Sequence, residues 1–153
     1  MSDAMTIRMM GWEDGDVLDH VSPDVFDGDI DPRCFAEFLT HSRHHMALAL
    51  VGDLVVGFAS AVHYVHPDKP SEMWINEIVV SDSQRRRGIG KQLLEKLFEH
   101  ARELGCKEAW VLTDEDNAGA RGLYAAAGGK EKPSVIVSFN LGSGRPERLS
   151  DPA

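Results

Sequence analysis

The stretch that decides the fold is Ile78-Val79-Val80-Ser81-Asp82-Ser83-Gln84-Arg85-Arg86-Arg87-Gly88-Ile89-Gly90. Its β-branched beginning predicts the end of a strand, and the apolar residues after it recur at helical spacing up to Leu104. Between them lies a loop with three arginines and two glycines. Glycines let a backbone approach an anion closely, and a helix N-terminus presents unpaired N–H groups in a favourable dipole. The stretch therefore predicts a pyrophosphate cradle.

Two familiar phosphate-binding motifs do not fit this stretch. A P-loop requires a first glycine where Arg85 stands, and a Ser or Thr after Gly90-Lys91, where Gln92 stands. A dinucleotide-binding fingerprint requires a third glycine at the position of Leu93. The cradle consequently belongs to another class of phosphate-binding protein.

The charge of the chain is acidic and unevenly distributed. The 153 residues carry a formal charge of −9, which argues against nucleic acid as a partner. Residues 1–40 hold ten acids and two bases, whereas the remainder holds fifteen acids and fourteen bases. This excess in the first quarter serves either solubility or the attraction of a cationic partner. The length suits a single domain spanning residues 1–153.

Cysteine usage and hydropathy predict a cytoplasmic protein without a structural metal. Cys34 and Cys106 form no CxxC motif and are expected to be buried structural thiols. No basic and apolar leader opens the chain, and no apolar run approaches the roughly 18–20 residues of a membrane span. The stretch His41-Ser42-Arg43-His44-His45 lacks the paired spacing of a metal site, so we expect a helix end with solvated histidines.

The periodicity of the chain predicts an α/β (α+β) domain with the element order β-α-α-β-β-β-α-β-α-β. A mixed central sheet and about four flanking helices follow from that order. One short helix is expected within residues 12–31, and a last strand is expected at residues 134–141, before a frayed tail at 143–153.

Two blocks of the sequence are informative together, namely Arg85–Gly90 and residues 117–128 (NAGARGLYAAAG). The first block resembles the [Q/R]-x-x-G-x-[G/A] acetyl-CoA motif of the GCN5-related N-acetyltransferase (GNAT) superfamily. The second is similar to the N-x-x-A-x-x-[L/F]-Y-x-x-x-G helix of the same superfamily. Their separation and the element order match too, so the resemblance covers nearly the whole chain. It implies a GNAT fold whose fourth and fifth strands splay apart.

The resemblance also implies that the part of the domain that binds acetyl-CoA spans about residues 71–128. The pantetheine arm would pair with the fourth strand near Ile78, and amide groups around the arginine loop would bind the pyrophosphate. Tyr124 would protonate the leaving thiolate, unless it is simply an aromatic side chain packed under the helix. The implied cofactor-binding residues are Ile78, Val79, Val80, Arg85, Arg86, Arg87, Gly88, Ile89, Gly90, Lys91, Asn117 and Tyr124.

The second catalytic candidate is Glu77, which lies just before the cofactor-pairing residues. An ammonium group must lose a proton before it attacks a thioester, and Glu77 could accept that proton directly or through a water. It could instead hold the substrate or be simply solvated. Strand alternation predicts that Glu77 shares a face with Ile75 and Val79, where apolar surroundings would raise its pKa. The implied reaction is direct transfer, without an acetyl-cysteine intermediate.

The acceptor side of the fold, residues 12–42 by resemblance, coincides with the acidic first quarter. Residues 54–57, 61–67, 71–81 and 85–89 look similar to type I aminoglycoside 3-N-acetyltransferases. The expected acceptor is therefore a cationic small molecule, with the 3-amino group of an aminoglycoside antibiotic as the main expectation. Another amine (of a polyamine, an amino acid derivative or a protein N-terminus) is the alternative, followed by a non-catalytic acetyl-CoA-binding module. The chain is also a possible homodimer. The expected acceptor-binding residues are Asp27, Asp29, Asp31, Glu77, Asp114, Glu115 and Asp116.

Overall fold

Five strands form one mixed sheet whose spatial order, β1-β2-β3-β4-β5, follows the order of the chain. The structure, a computed structural model, describes residues 4–142. Neighbouring strands are antiparallel except β4 and β5, which are parallel. The strands are β1 (Met5–Met9), β2 (His44–Val51), β3 (Leu54–His66), β4 (Lys69–Val80) and β5 (Glu108–Val111). The helices are α1 (Pro32–Thr40), α2 (Ile89–Glu103) and α3 (Ala118–Ala126), with single 3-10 turns at Val17–Asp19 and Asp82–Gln84.

The two faces of the sheet are covered by different parts of the chain. On the face that we call the helical face, α2 buries Leu93, Leu94 and Leu97 against the strands, and α3 packs beside it. The opposite face, here the loop face, is covered by residues 17–26 and α1. There Val25 is buried and the ring of Phe26 stacks on Phe58 at 4.6 Å. The helix that follows the predicted phosphate loop therefore lies on one side of the sheet, and the acidic segment lies on the other.

Strands β4 and β5 separate after a short paired region. Their pairing runs from Glu72 opposite Glu108 to Ile75 opposite Val111. Beyond that point β4 continues to Val80, hydrogen-bonded to β3 alone. A gap therefore opens between the two strands, and the predicted splay of the fourth and fifth strands is confirmed.

A β-bulge at Asn76 overturns one expectation about the faces of β4. Consecutive residues of β3 pair with Ile75 and Glu77, so Asn76 is an extra residue on β4. The alternation of side chains shifts there, and Ile78 packs on the helical face together with Ile75. Glu77 lies with Val79 on the loop face. The prediction that Glu77 shares a face with Ile75 was therefore wrong, because it assumed an uninterrupted strand.

Two predicted elements are absent from the described residues. The helix expected within residues 12–31 is only the turn Val17–Asp19, followed by irregular chain, so three α-helices are present rather than four. The strand expected at residues 134–141 does not form, and that segment has no regular secondary structure and no pairing with the sheet. The predicted tail at 143–153 lies outside the described residues. No helix of residues 4–142 is long and apolar enough to cross a membrane.

Two side-chain environments also differ from expectation. Cys34 is exposed on α1, whereas Cys106 is buried as predicted. His45 is not a solvated histidine at a helix end, because it belongs to β2 and is only 7% exposed. Its ring nitrogens lie 2.6 Å from His63 Nδ1 and 3.1 Å from His100 Nε2. Burial, followed by the neighbouring His100, His63 and His44, lowers the pKa of His45 to about 3.

Candidate active site

The N-terminus of α2 is built to receive an anion. Gly88 precedes the helix in the left-handed conformation, with φ of 74°, a region that favours glycine. No side chain within the described residues caps this end, and its first turn contains no acid. The first N–H groups of the helix therefore remain available to a ligand. Arg86, with φ of 65°, also takes the left-handed conformation, so the loop backbone is bent around this helix end.

Gly90 has a packing role that the sequence motif did not reveal. A Cβ atom placed on Gly90 would lie 3.2 Å from Cδ2 of Leu123. The missing side chain lets α3 approach α2 closely, and Tyr124 follows Leu123 on that helix. The same glycine thus lies in the predicted phosphate loop and allows the close approach of the helix that carries the phenol.

The arginines of the loop are exposed, and two of them have local partners. Arg85 Nε lies 3.1 Å from Asp82 Oδ1, and Arg87 donates a hydrogen bond to Gln84. Lys91 is exposed on the first turn of α2. These cations supply positive charge around the helix N-terminus in a chain that is acidic overall.

Glu77 and Asp27 place negative charge together on the loop face. Glu77 is exposed at the surface, yet partial desolvation of its carboxylate raises its pKa above the ordinary value, and repulsion from the Asp27 carboxylate raises it further. The expected direction of the shift is thus present, although the neighbours of Glu77 differ from those that strand alternation predicted. A carboxylate with a raised pKa is a better proton acceptor.

Tyr124 lies on the helical face, where it lines one cleft together with Ile75 of β4 and Val111 of β5, the last residues at which the two strands pair. Its ring packs against the core of the helical face, and burial raises the pKa of its phenol. The phenol therefore stays protonated at neutral pH and can donate a proton. A group lying in the gap would have Tyr124 on the helical face and Glu77 on the loop face.

The remaining predicted residues include two that cap helices. The Asp31 carboxylate accepts hydrogen bonds from the backbone of Arg33 and Cys34 at the start of α1. The Asn117 side chain accepts one from Ala120 N at 3.0 Å at the start of α3. Asp29 is exposed, as are the acids just before α3 (Asp114, Glu115 and Asp116).

Asp24 is a structural link that sequence reasoning missed. Its carboxylate accepts hydrogen bonds of 2.8 Å from Asp82 N and Ser81 Oγ, and one of 3.1 Å from Ser22 Oγ. These contacts tie the loop that carries Asp27 to the end of β4 and the turn before the arginine loop. The bonds from Asp82 and Ser81 lower the pKa of Asp24. No local pattern signals this link, because its partners lie far apart in the sequence.

Comparisons with known proteins agree with this geometry. A family model described as "Acetyltransferase (GNAT) family" matches residues 12–128. A spermine/spermidine N(1)-acetyltransferase of Bacillus subtilis (strain 168) is 30% identical over 92 residues. That alignment covers 58% of this chain and 60% of the relative, so the similarity spans less than two thirds of the curated protein.

Solved aminoglycoside acetyltransferases share the fold. One from an uncultured soil metagenomic sample, in complex with sisomicin, has a TM-score of 0.77 and 17% identity, covering 90% of this chain and 97% of that one. AAC(6')-Iy, in complex with a CoA-S-monomethyl-acetylneamine bisubstrate analog, has a TM-score of 0.74 and 25% identity, covering 90% and 99% of the two chains. The chain described here belongs to the GNAT acetyltransferase family, because the family model matches most of its length.

Proposed function

We propose that this protein transfers the acetyl group of acetyl-CoA directly to an amine of a polycationic small molecule, with aminoglycosides as the main class. The observation that carries the proposal is the gap between β4 and β5, which has an uncapped helix N-terminus beside it, a phenol on one face and a carboxylate on the other. The gap joins the cofactor side of the sheet to the acidic side.

Acetyl-CoA fits this arrangement from the helical face. The N–H groups of Ile89, Gly90 and Lys91 would bind the pyrophosphate, and the loop arginines would neutralise its charge. The pantetheine arm would run along β4 near Ile78–Val80, where the β5 side of the strand is unpaired. The thioester would then lie in the gap. The structure of AAC(6')-Iy with a CoA-derived bisubstrate analog supports this use of the fold.

The two candidate catalytic side chains suit opposite proton transfers. Glu77 would take a proton from the ammonium form of the acceptor, whose nitrogen lone pair then attacks the thioester carbonyl. As the C–S bond breaks, Tyr124 would donate its phenolic proton to the departing sulfur. The phenolate would then regain a proton from the acetylated nitrogen, and Glu77 would release the first proton to solvent. The products are an N-acetyl amide and free CoA thiol. General acid–base catalysis of this kind contributes about 10²–10⁴-fold to a rate.

The acidic loop face favours a substrate with several positive charges. Asp27 faces Glu77, and Asp29 and Asp31 follow it on the same loop. Close carboxylates raise the local concentration of polycations and accelerate their association. The amine expected to be acetylated is the 3-amino group of an aminoglycoside, on the basis of the sequence resemblance.

A polyamine acceptor is the second candidate, and one observation favours it. The curated relative from Bacillus subtilis is named for spermine and spermidine, and these amines are also polycations. The two classes differ in shape, since a polyamine is a flexible chain and an aminoglycoside is a set of rigid rings. A direct comparison of turnover therefore separates them.

The test is release of free thiol from acetyl-CoA in the presence of gentamicin, kanamycin, spermidine or a peptide panel. We expect the highest kcat/KM with an aminoglycoside. Turnover with peptides alone would refute the polycation proposal. Binding of acetyl-CoA without any turnover would instead indicate a non-catalytic module.

The acidic loop can be tested separately by salt dependence. The kcat/KM for an aminoglycoside should fall as salt rises, and replacing Asp27, Asp29 and Asp31 by Asn should flatten that slope. Asn is suitable at position 31 because it preserves the capping of α1. A control with Asp53→Asn and Glu99→Gln, which removes exposed acids elsewhere, should retain the slope. If kcat/KM of the loop variant depends on salt as steeply as that of the unchanged protein, the loop takes no part in substrate capture.

A further inference from the structure

Two tryptophans stack on the loop face where β4 and β5 pair. Trp74 of β4 lies opposite Trp110 of β5, and their ring centroids are 5.3 Å apart with an interplanar angle of 10°. Their neighbours along the strands, among them Met73 and Val111, pack in the core of the helical face. Because side chains alternate along a strand, both indoles lie on the loop face. Among the described residues, the segment that covers this face packs on β2, β3 and Val79, so the tryptophan pair lies beside that cluster and stays partly exposed.

The carboxylate of Glu72 is held beside this pair by two donors. Its Oε1 accepts hydrogen bonds from Trp110 Nε1 at 3.1 Å and from the Tyr64 hydroxyl at 3.4 Å. Glu108 lies opposite Glu72 in the pairing of β4 with β5, so a second carboxylate borders the same face. An indole face attracts cations, and a carboxylate pairs with them. The combination therefore suits an ammonium group attached to an apolar body.

A cleft of about 1390 Å³ joins this face to the proposed catalytic acid. Glu72, Trp110 and Tyr64 line the cleft on the loop face, and Tyr124 lines it on the helical face. Five acids and three bases contribute to its wall. The cleft thus has the charge that a cationic ligand requires, and a ligand bound at Trp110 would occupy the same cleft as Tyr124.

We propose that Trp110, backed by Trp74, and Glu72 form a subsite for a second amino-bearing ring of the acceptor. This inference rests on the proposed function, in which the reacting amine lies at Glu77. Glu77 follows Trp74 by three residues on β4, which corresponds to about 10 Å of extended chain. A flanking ring of an aminoglycoside would stack its apolar C–H face on Trp110 and place its ammonium group at Glu72, while the central ring stays at Glu77. A polyamine has ammonium groups but no ring face, so the subsite favours amino sugars.

The first test compares an aminoglycoside with its own central ring. Kanamycin and 2-deoxystreptamine share the 3-amino group, but only kanamycin carries flanking rings. Glu72→Gln removes the charge and retains an oxygen that can accept from Trp110 Nε1. The ratio of kcat/KM for kanamycin to that for 2-deoxystreptamine should fall roughly 5–30-fold in this variant, mainly through the KM of kanamycin. The control Glu99→Gln, an exposed acid on α2, should keep the ratio. An unchanged ratio in Glu72→Gln would overturn the proposal.

A second pair of variants tests the aromatic face. Trp110→Leu removes the ring, whereas Trp110→Phe keeps a smaller one. The ratio for Trp110→Leu should fall by a factor similar to that for Glu72→Gln, and Trp110→Phe should recover part of it. Thermal unfolding of both variants checks that the fold survives. A ratio in Trp110→Leu equal to that of the unchanged protein would refute the role of the indole.

Binding at the subsite can be observed without turnover by fluorine-19 NMR. The chain contains three tryptophans, so 5-fluorotryptophan gives three signals, which single Trp→Phe variants assign. Kanamycin added together with CoA should shift the signal of Trp110 more than spermidine does. A shift without acetylation of any amine would refute the proposed transfer and support binding of an amino sugar at Trp110. Acetylation of kanamycin without a shift would refute the subsite alone. A signal that changes with protein concentration and not with kanamycin would also overturn the subsite, since a second copy would then cover this face.

Discussion

The buried histidine of β2 makes the stability of this protein depend on pH. His45 has a pKa of about 3 in the folded chain, against 6.5 for an ordinary histidine. The groups around it are His44 and His63 from the strands and His100 from α2, with Arg43 facing His63 and Glu103 beside His100. Most of these are bases, so a proton on His45 is repelled as well as desolvated.

The sign of the effect follows from the two pKa values. Between about pH 6.5 and pH 3 the unfolded chain binds a proton at His45 and the folded chain does not, so acidification favours unfolding. Lowering the pH from about 7 to about 5 therefore lowers the free energy of unfolding by about 2 kcal/mol. This value depends almost wholly on the pKa of His45 in the unfolded chain. For a chain of this size each kcal/mol lowers Tm by roughly 2–4 °C.

Urea unfolding at the two pH values measures this effect. The lowered pKa of His63 adds to the loss in the unchanged protein, whereas the raised pKa of Glu77 offsets part of it. His45→Gln should be less stable at neutral pH but should lose about 2 kcal/mol less on acidification. The exposed His20→Gln serves as the control and should behave like the unchanged protein. An equal pH dependence in His45→Gln and the unchanged protein would refute the reasoning.

Three further predictions concern the proposed catalytic arrangement. Tyr124→Phe should lower kcat by about 10²–10⁴-fold with little change in the Kd of acetyl-CoA, and an unchanged kcat would remove Tyr124 as the acid. If Glu77 must be deprotonated, kcat/KM should fall on acidification at a pH above the ordinary pKa of glutamate. Asp27→Asn should move this fall to lower pH, because it removes a negative charge that raises the pKa of Glu77. A fall at the same pH in Asp27→Asn would contradict the interaction between the two carboxylates. Gly90→Leu should weaken acetyl-CoA binding, and Leu123→Ala in the same chain should restore part of it; identical affinities of the single and double variants would contradict the packing role of Gly90.

Much of the fold could be predicted because it depends on local patterns. The long amphipathic run gave α2, and the alternating apolar segments gave the strands of the sheet. The glycines of the arginine loop indicated the position of the helix N-terminus because glycine tolerates the left-handed conformation that Gly88 adopts. The separation of β4 from β5 came only through resemblance to a family, since no single strand encodes it.

The errors arose where pairing between distant residues decides the structure. The bulge at Asn76 depends on the register with β3, and one extra residue moves Glu77 to the other face. Residues 134–141 have strand-like alternation, but they pair with no strand among residues 4–142. His45 was misplaced because the burial that sets its pKa comes from β3 and α2. The link formed by Asp24 could not be predicted for the same reason, since its partners are Ser81 and Asp82.

The most direct test of the central claim is a competition between acceptors in one reaction. Gentamicin, kanamycin and spermidine are mixed at equal concentration with acetyl-CoA, and the acetylated products are quantified by mass spectrometry and located by NMR. The ratio of initial rates gives the ratio of kcat/KM values directly. We predict that an aminoglycoside acetylated at its 3-amino group dominates. The absence of any acetylated amine, in a protein that still binds acetyl-CoA, would contradict the account.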